Sequence, residues 1–330
     1  MVPLSFSESC HYIIFLRPVR LSDKLVELYP GVIIPPLPEK QVIGRFDDDF
    51  IEYRKRALEK FLNRVSKHEK LSVSPFFETF LMASHESFQR ARMNHQSVYM
   101  TTAISAASWL GNTFSSIATK KGVEFEKSAV DMQMDDITEK VDKLTELMSN
   151  VRDQAYEFIK ASCESSLSLT ELSDCFQLLG EAEHPYDPIV ASLYSNTGVF
   201  INAVGTEVGK QAHASIISFE EAILEQLNLL RSVKRALSLR EAARGHHIQC
   251  KNETLNCEAA HARVLGVEGK RDQVIPCKAA FENAQRAERD AKNRLEIITE
   301  DFLADYVRFK AEKAVDLRSI LVKFAHLQVL

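Results

Sequence analysis

A chain of 330 residues with 45% apolar and 26% charged residues has the composition of a folded protein, long enough for two domains and unlike a disordered one. Its net charge of -5 speaks against a nucleic-acid-binding protein, whose surface would be basic throughout, and no run of 18 or more apolar residues is present to span a bilayer. The chain therefore reads as intracellular, with its six cysteines reduced.

The first 20 residues hold one strand-like run, His11 to Leu16, followed by Pro18. Leu21 to Tyr29 reads as a short helix with Leu21, Leu25 and Leu28 on one face, ended by Pro30 and Gly31. In VIIPPLPEK, Val32 to Lys40, three prolines impose an extended path and place Lys40 at its end. Phe46 to Val65 resumes a helix, capped by Asp47 to Asp49 and facing inward through Phe50, Tyr53, Leu58, Phe61, Leu62 and Val65. Leu71 to Met82 adds a further helical turn or two.

Met100 to Lys121 follows as a linker with helical potential. Leu110, Phe114 and Ile117 fall on one side of a wheel with Ala106, Ala107 and Ala118, Trp109 sits at the boundary, and serines cover the rest. The pattern suits a helix lying in a membrane interface, inserting Trp109, Leu110, Phe114 and Ile117.

From Phe125 onward the apolar period is helical. One helix runs from Val130 to Leu179 on Met132, Ile137, Val141, Leu144, Leu147, Val151, Ala155 and Ile159. A second carries Phe200, Val204, Val208, Ile216, Phe219, Ile223, Leu227, Leu230, Val233 and Leu237. The third begins near Phe281 and continues through Ala291, Leu295, Ile298, Phe302, Tyr306, Phe309, Leu317, Leu321, Phe324 and Leu327. Gly266 to Lys270 can join the last two antiparallel. At about 1.5 Å per residue such helices outrun any compact core, so they must pair with one another or with a partner. The apolar stripe left over predicts a dimer.

Charge is segregated along this frame. Residues 123 to 230 hold 6 basic against 20 acidic residues, whereas Arg231 to Arg294 holds 14 against 8. The basic stretch is the far end of the hairpin between the last two helices, and an anionic leaflet attracts such a patch by about 1 kcal/mol per Lys or Arg. Candidate lipid contacts are Arg263, Lys270 and Arg271, with Arg240, Arg244 and Lys251 behind them. His246, His247, Cys250, Cys257 and His261 share helical spacing and could in principle bind zinc, but structural zinc sites use paired short spacings across a turn, so neither metal nor other cofactor is expected. No P-loop, dinucleotide turn, HExxH or nucleophile elbow occurs, which points away from catalysis.

Two stretches carry a resemblance to a known family. YPGVIIPPLPEK, DDFIEYRKRALEKFLNRVSKH and SPFFETFL, in that order over Leu21 to Leu81, resemble the C-terminal half of a PX domain, the phosphoinositide-binding module of sorting nexins. The resemblance implies that Lys40 contacts a lipid phosphate and that Arg54 hydrogen-bonds the inositol ring. Cations suit that task, Arg as a two-pronged donor and Lys as a point charge. The family's three-stranded sheet and Arg-Arg-Tyr/Phe motif have no counterpart near Ile13 to Phe15, so headgroup recognition by this form is expected to be weakened or lost.

Phe125 to Leu330 is similar to the BAR domain of the PX-BAR sorting nexins, through CFQLLGEAEHP, SVKRALSLREAARG and DYVRFKAEKAVDLRSILVKFAHLQ. The implied fold is mainly α: a truncated α+β PX domain over 1–97, a linker over 98–121 and a long three-helix BAR domain over 122–330 that forms a crescent dimer. The implied function is binding to phosphoinositide-containing membranes and sensing or inducing curvature in retrograde sorting, by a cytoplasmic protein peripheral on endosomes. Homodimers, heterodimers with another BAR sorting nexin, and retromer subunits are the implied partners, with no nucleic acid. A soluble coiled-coil scaffold or heterodimerising regulator is the alternative.

Overall fold

The computed structural model describes residues 17–38, 48–82, 127–265 and 271–329. The expectations for His11 to Leu16, Lys40, Lys270 and the stretch with Trp109, Leu110, Phe114 and Ile117 lie outside them. Among the described residues the secondary structure is helical and no strand occurs. Four short helices come first: α1 (Arg17–Leu28), α2 (Asp48–Lys67), α3 (Glu69–Ser72) and α4 (Pro75–Met82). The long ones are α5 (Ala129–Glu183), α6 (Pro188–Ser215), α7 (Glu221–Val264) and α8 (Arg271–Val329), with a π-helical turn, Ile216–Glu220, between α6 and α7. Contacts group them into two units, Met1–Glu139 with Ser232–Arg308 and Lys140–Arg231 with Phe309–Leu330.

Local chemistry explains the helix starts. Ser128 and Asp131 form a reciprocal capping box at α5: the Ser128 N–H and Oγ–H donate to Asp131 Oδ2, and the Asp131 N–H donates to Ser128 Oγ at 3.1 Å. The break after α5 is made by the sequence His-Pro-Tyr-Asp-Pro. Asp187 caps α6 by accepting from the Ile189 and Val190 N–H groups, and Pro188 takes the first helical position, where its missing N–H costs nothing.

In the first unit the apolar faces of α1, α2, α3 and α4 meet in one core, with Leu25, Phe61, Val65, Leu71 and Phe77 each at most 4% exposed. Val32 and Ile34 of the extended segment and Leu239 of α7 belong to the same cluster. Burying such side chains contributes about 1.5–3 kcal/mol each. The chain reaches α8 at Gly31, where a Cβ would lie 2.4 Å from the Ile298 carbonyl oxygen. Only glycine permits that approach. Ala242 and Ala243 of α7 pack on Ile298 and Leu295 of α8 next to it.

The second unit is built on a seam of small residues. Ala191, Gly198, Gly205 and Ala212 of α6, seven apart, are buried. Facing them on α5, in reverse order, are Gly180, Ser173 and Ser166. The Ser173 hydroxyl donates to the Gly198 carbonyl at 2.8 Å and the Ser166 hydroxyl to the Gly205 carbonyl at 2.7 Å. Gln177 Nε2 donates to the Ser195 carbonyl at 3.1 Å. These contacts make α5 and α6 antiparallel with their backbones unusually close.

That geometry corrects the expected α6 stripe. Phe200 and Val204 are exposed because the small residues, one step round the helix, face α5 instead. In α7 the expected Ile223, Leu227, Leu230, Val233 and Leu237 are buried, as are Ile298, Phe302, Tyr306 and Phe309 in α8. Past Phe309 the seam passes to Ile320, and Leu321 is exposed.

Candidate headgroup loop and basic surfaces

The Pro-rich loop, residues 32–38, runs between α1 and α2. Its three prolines have no N–H, so few of its backbone groups can anchor it. The Val32 N–H reaches the Tyr29 carbonyl at 3.0 Å, and the Ile33 N–H donates to Asp305 Oδ2 of α8 at 2.7 Å. At the other end, the Pro38 carbonyl accepts from Arg54 Nη1 of α2 at 3.4 Å. Side chains of α2 and α8, and no strand among the described residues, set its path.

Asp305 is a hub. It is 6% exposed, and besides Ile33 it accepts from Arg308 Nε at 2.6 Å and meets His68 Nε2 at 3.0 Å. The other ring nitrogen of His68, Nδ1, accepts from the Lys70 and Leu71 N–H groups and caps α3. With Nδ1 accepting, the proton belongs on Nε2, facing the carboxylate. Burial alone would raise the Asp305 pKa, but the hydrogen bonds from His68, Arg308 and Ile33 outweigh it and hold the pKa below the usual carboxylate value. Lys70 adds an ion pair to Asp301 one turn away on α8.

Arg54, read from the sequence as an inositol-ring donor, is 1% exposed, and burial lowers its pKa from the ordinary value. Its guanidinium ties α2 to the loop and does not stand in solvent. A cavity of about 290 Å³ beside the loop is lined by Val26, Val32, Ile34, Ala236 and Leu239 together with Asp23 and Arg235.

The basic residues of the hairpin divide into two kinds. Arg240 was expected to face lipid, but it is 3% exposed and forms an ion pair from Nη2 to Asp131 Oδ1 at 2.5 Å and a bond from Nε to Thr299 Oγ1 at 3.2 Å. That expectation is corrected: Arg240 fastens the start of α5 to α7 and α8. Arg244, mostly buried, joins Asp131 at 3.4 Å and Glu241 at 2.9 Å. Burial would raise the Asp131 pKa, but the hydrogen bonds from Arg240 and Ser128 bring it down to about 2. Lys251 is half-buried and Arg263 exposed, while the side chains of Lys270 and Arg271 lie outside the description.

In the second unit a groove of about 480 Å³ opens to solvent between Leu147, Val151, Phe158, Phe219 and Phe324. Phe219, brought there by the π-helical turn, stacks on Phe324 with ring centroids 4.0 Å apart, and Phe158 meets Phe324 edge-on at 6.0 Å. Leu147 and Val151 remain about half exposed.

Cys250 Sγ lies 3.7 Å from His246 Nε2, yet among the described residues no three His, Cys, Asp or Glu side chains are grouped to hold a metal ion. No described helix is long and apolar enough to cross a membrane. Asp305, His68 and Gly31 were not read from the sequence as site residues. The signal was there for Asp305: it sits three after Phe302 and four before Phe309, an acid on the apolar stripe of α8.

In the first unit a cap of short helices and a Pro-rich loop packs on α7 and α8, as a PX domain joined to long BAR-type helices would. Comparison with known proteins agrees. The family model described as PX domain matches residues 19–84, and the one described as Vps5 C terminal like matches 110–329. The chain is 26% identical to sorting nexin 1 of Arabidopsis thaliana over 93% of its own length and 76% of that protein's. It is 50% identical to the vacuolar protein sorting-associated protein vps5 of Schizosaccharomyces pombe over 80 residues, 24% of this chain and 13% of that one. Among solved structures, the SNX-BAR Mvp1 tetramer, seen by cryo-electron microscopy, superposes with a TM-score of 0.65 at 14% identity, covering 94% of this chain and 83% of its own. The chain belongs to the PX-BAR sorting nexins.

Proposed function

We propose that this chain is a peripheral membrane protein that pairs through its long helices and senses or induces curvature of endosomal membranes in retrograde sorting, by binding and not by catalysis. The observation that carries the pairing is the open aromatic groove of Phe158, Phe219 and Phe324, flanked by half-exposed Leu147 and Val151. Contiguous apolar surface of this kind marks an interaction site. The partner is a second copy or another BAR sorting nexin, and retromer subunits are further partners. Domain limits of 1–97, 98–121 and 122–330 remain our division of the chain.

Membrane contact is additive in this reading. Lys40 at the end of the Pro-rich loop, an inserting helix with Trp109, Leu110, Phe114 and Ile117, and the hairpin cations Arg263, Lys270 and Arg271 each contribute modestly. Pairing multiplies them through effective concentration. Lys251, half-buried, is a supporting contact, whereas Arg244 is engaged with Asp131 and Glu241.

Flotation of the full chain with phosphatidylcholine/phosphatidylserine vesicles, with and without phosphatidylinositol 3-phosphate, tests the reading, together with negative-stain imaging. Tubulated vesicles are expected, with flotation that the phosphoinositide enhances only weakly, because the family's Arg-Arg-Tyr/Phe motif has no counterpart in this sequence. Protein that stays unbound in both series would refute it. The burial of Arg54 favours a second reading, in which the chain is a helical scaffold that pairs with a complete sorting nexin without reading lipid itself. Curvature activity without phosphoinositide dependence, or only in the presence of such a partner, would select it.

A further inference from the structure

We propose that Asp305, on the long helix α8, is a positioning residue for the headgroup loop, so that phosphoinositide recognition depends on a residue of the Vps5-like region. The inference rests on the reading above that this loop contributes to lipid recognition. A loop with prolines at three of its seven positions offers few N–H groups for anchoring, and one of them, Ile33, is bound by a buried carboxylate 272 residues away. The other end of the loop is bound by Arg54 through the Pro38 carbonyl. Its geometry between those points is therefore fixed jointly by α2 and α8.

Four further contacts converge on the same stretch of α8. His68 Nε2–H and Arg308 Nε–H orient the carboxylate, so Asp305 presents Oδ2 to Ile33 while Oδ1 is held by the other two. Gly31, two residues before Ile33, lies against the Ile298 carbonyl with no room for a methyl group. Lys70 pairs with Asp301 between these two points on α8. The seat is a charged hydrogen-bond network on one side and a steric fit on the other, both made against α8.

Two substitutions displace the loop by unrelated means. Asp305→Ala removes the acceptor, and Gly31→Ala pushes the chain off the Ile298 carbonyl without touching any charge. Full-length protein of each kind is titrated with phosphatidylcholine/phosphatidylserine vesicles lacking or containing phosphatidylinositol 3-phosphate, with helix content and thermal unfolding followed in parallel. Both variants are expected to lose most of the phosphoinositide-dependent part of binding, while phosphatidylserine binding and helix content stay at wild-type level. Wild-type protein indifferent to phosphoinositide would overturn the lipid reading and this inference with it. A dependent wild type with either variant equally dependent would overturn the positioning role alone. So would parallel loss of phosphatidylserine binding and helix content in both, since Asp305 would then be only structural.

Discussion

Two glycines in long helices should respond oppositely to the same added methyl group. Gly245, within α7, has no atom within 4 Å of where a Cβ would stand, so Gly245→Ala gains only the helix-propensity difference, about 0.5–1 kcal/mol. At Gly198 a Cβ would lie 2.9 Å from Gln177 Nε2 and 3.0 Å from the Ser173 carbonyl oxygen, across the close seam with α5. The amide can swing away, at the loss of its bond to the Ser195 carbonyl, worth about 1 kcal/mol. The carbonyl cannot move without parting the helices, and forced overpacking costs about 1–3 kcal/mol. Against the same propensity gain, Gly198→Ala should be destabilising by about 1–3 kcal/mol, leaving roughly 2–4 kcal/mol between two chemically identical changes. Thermal unfolding by circular dichroism measures this, since a helical domain of this size moves about 2–4 °C per kcal/mol. If Gly198→Ala raises the midpoint as Gly245→Ala does, α5 and α6 do not approach at this seam.

Arg240→Met should cost about 1–3 kcal/mol in unfolding free energy, because it removes the charged bond to Asp131 and the bond to Thr299 while Arg244 and Ser128 still hold the carboxylate, whereas Arg263→Glu should leave stability unchanged and weaken binding to anionic vesicles. Equal effects on both assays would contradict the division of the two arginines. Against burial, the Arg240 and Ser128 hydrogen bonds hold the Asp131 pKa down at about 2, below the ordinary 3.8, so its ionised form stabilises the fold fully above about pH 4, and that contribution disappears as pH falls toward 2. An acid titration of helix content should therefore be flatter between pH 4 and 2 in Asp131→Asn, from a lower starting stability. Val151→Asp, at the rim of the aromatic groove and 45% exposed, should leave the fold intact and shift sedimentation toward a single chain, and unchanged association would remove the groove from the interface.

The helices of this fold were legible because their period is written in large apolar residues, and where helices meet through those residues the reading reached the core: Val233, Ile298 and Phe302 are all at most 2% exposed. It failed on α6 for a definite reason. Hydrophobicity marks Phe200 and Val204, but at a seam where backbones nearly touch, what matters is the absence of a side chain, and glycine and serine carry no hydrophobic signal. The seven-residue recurrence of Ala191, Gly198, Gly205 and Ala212 was in plain view as spacing without apolarity. The π-helical turn that carries Phe219 into the groove has no sequence mark of its own.

The site was less legible than the fold, and Arg54 and Arg240 show why. A guanidinium looks the same in sequence whether it awaits a phosphate or is already spent on a carbonyl and a carboxylate inside the protein. Position relative to the apolar stripe is the better guide. Arg240 lies seven residues after Val233, so it recurs at the spacing of the buried face of α7 and meets Asp131 there. Asp305 lies on the α8 stripe between Phe302 and Phe309 in the same way. A charge at stripe register has to be paired, since burial without a partner costs several kcal/mol, and its partner must come from another element. Charges in register with the core therefore report long-range contacts, and charges out of register, such as Arg263, stay exposed.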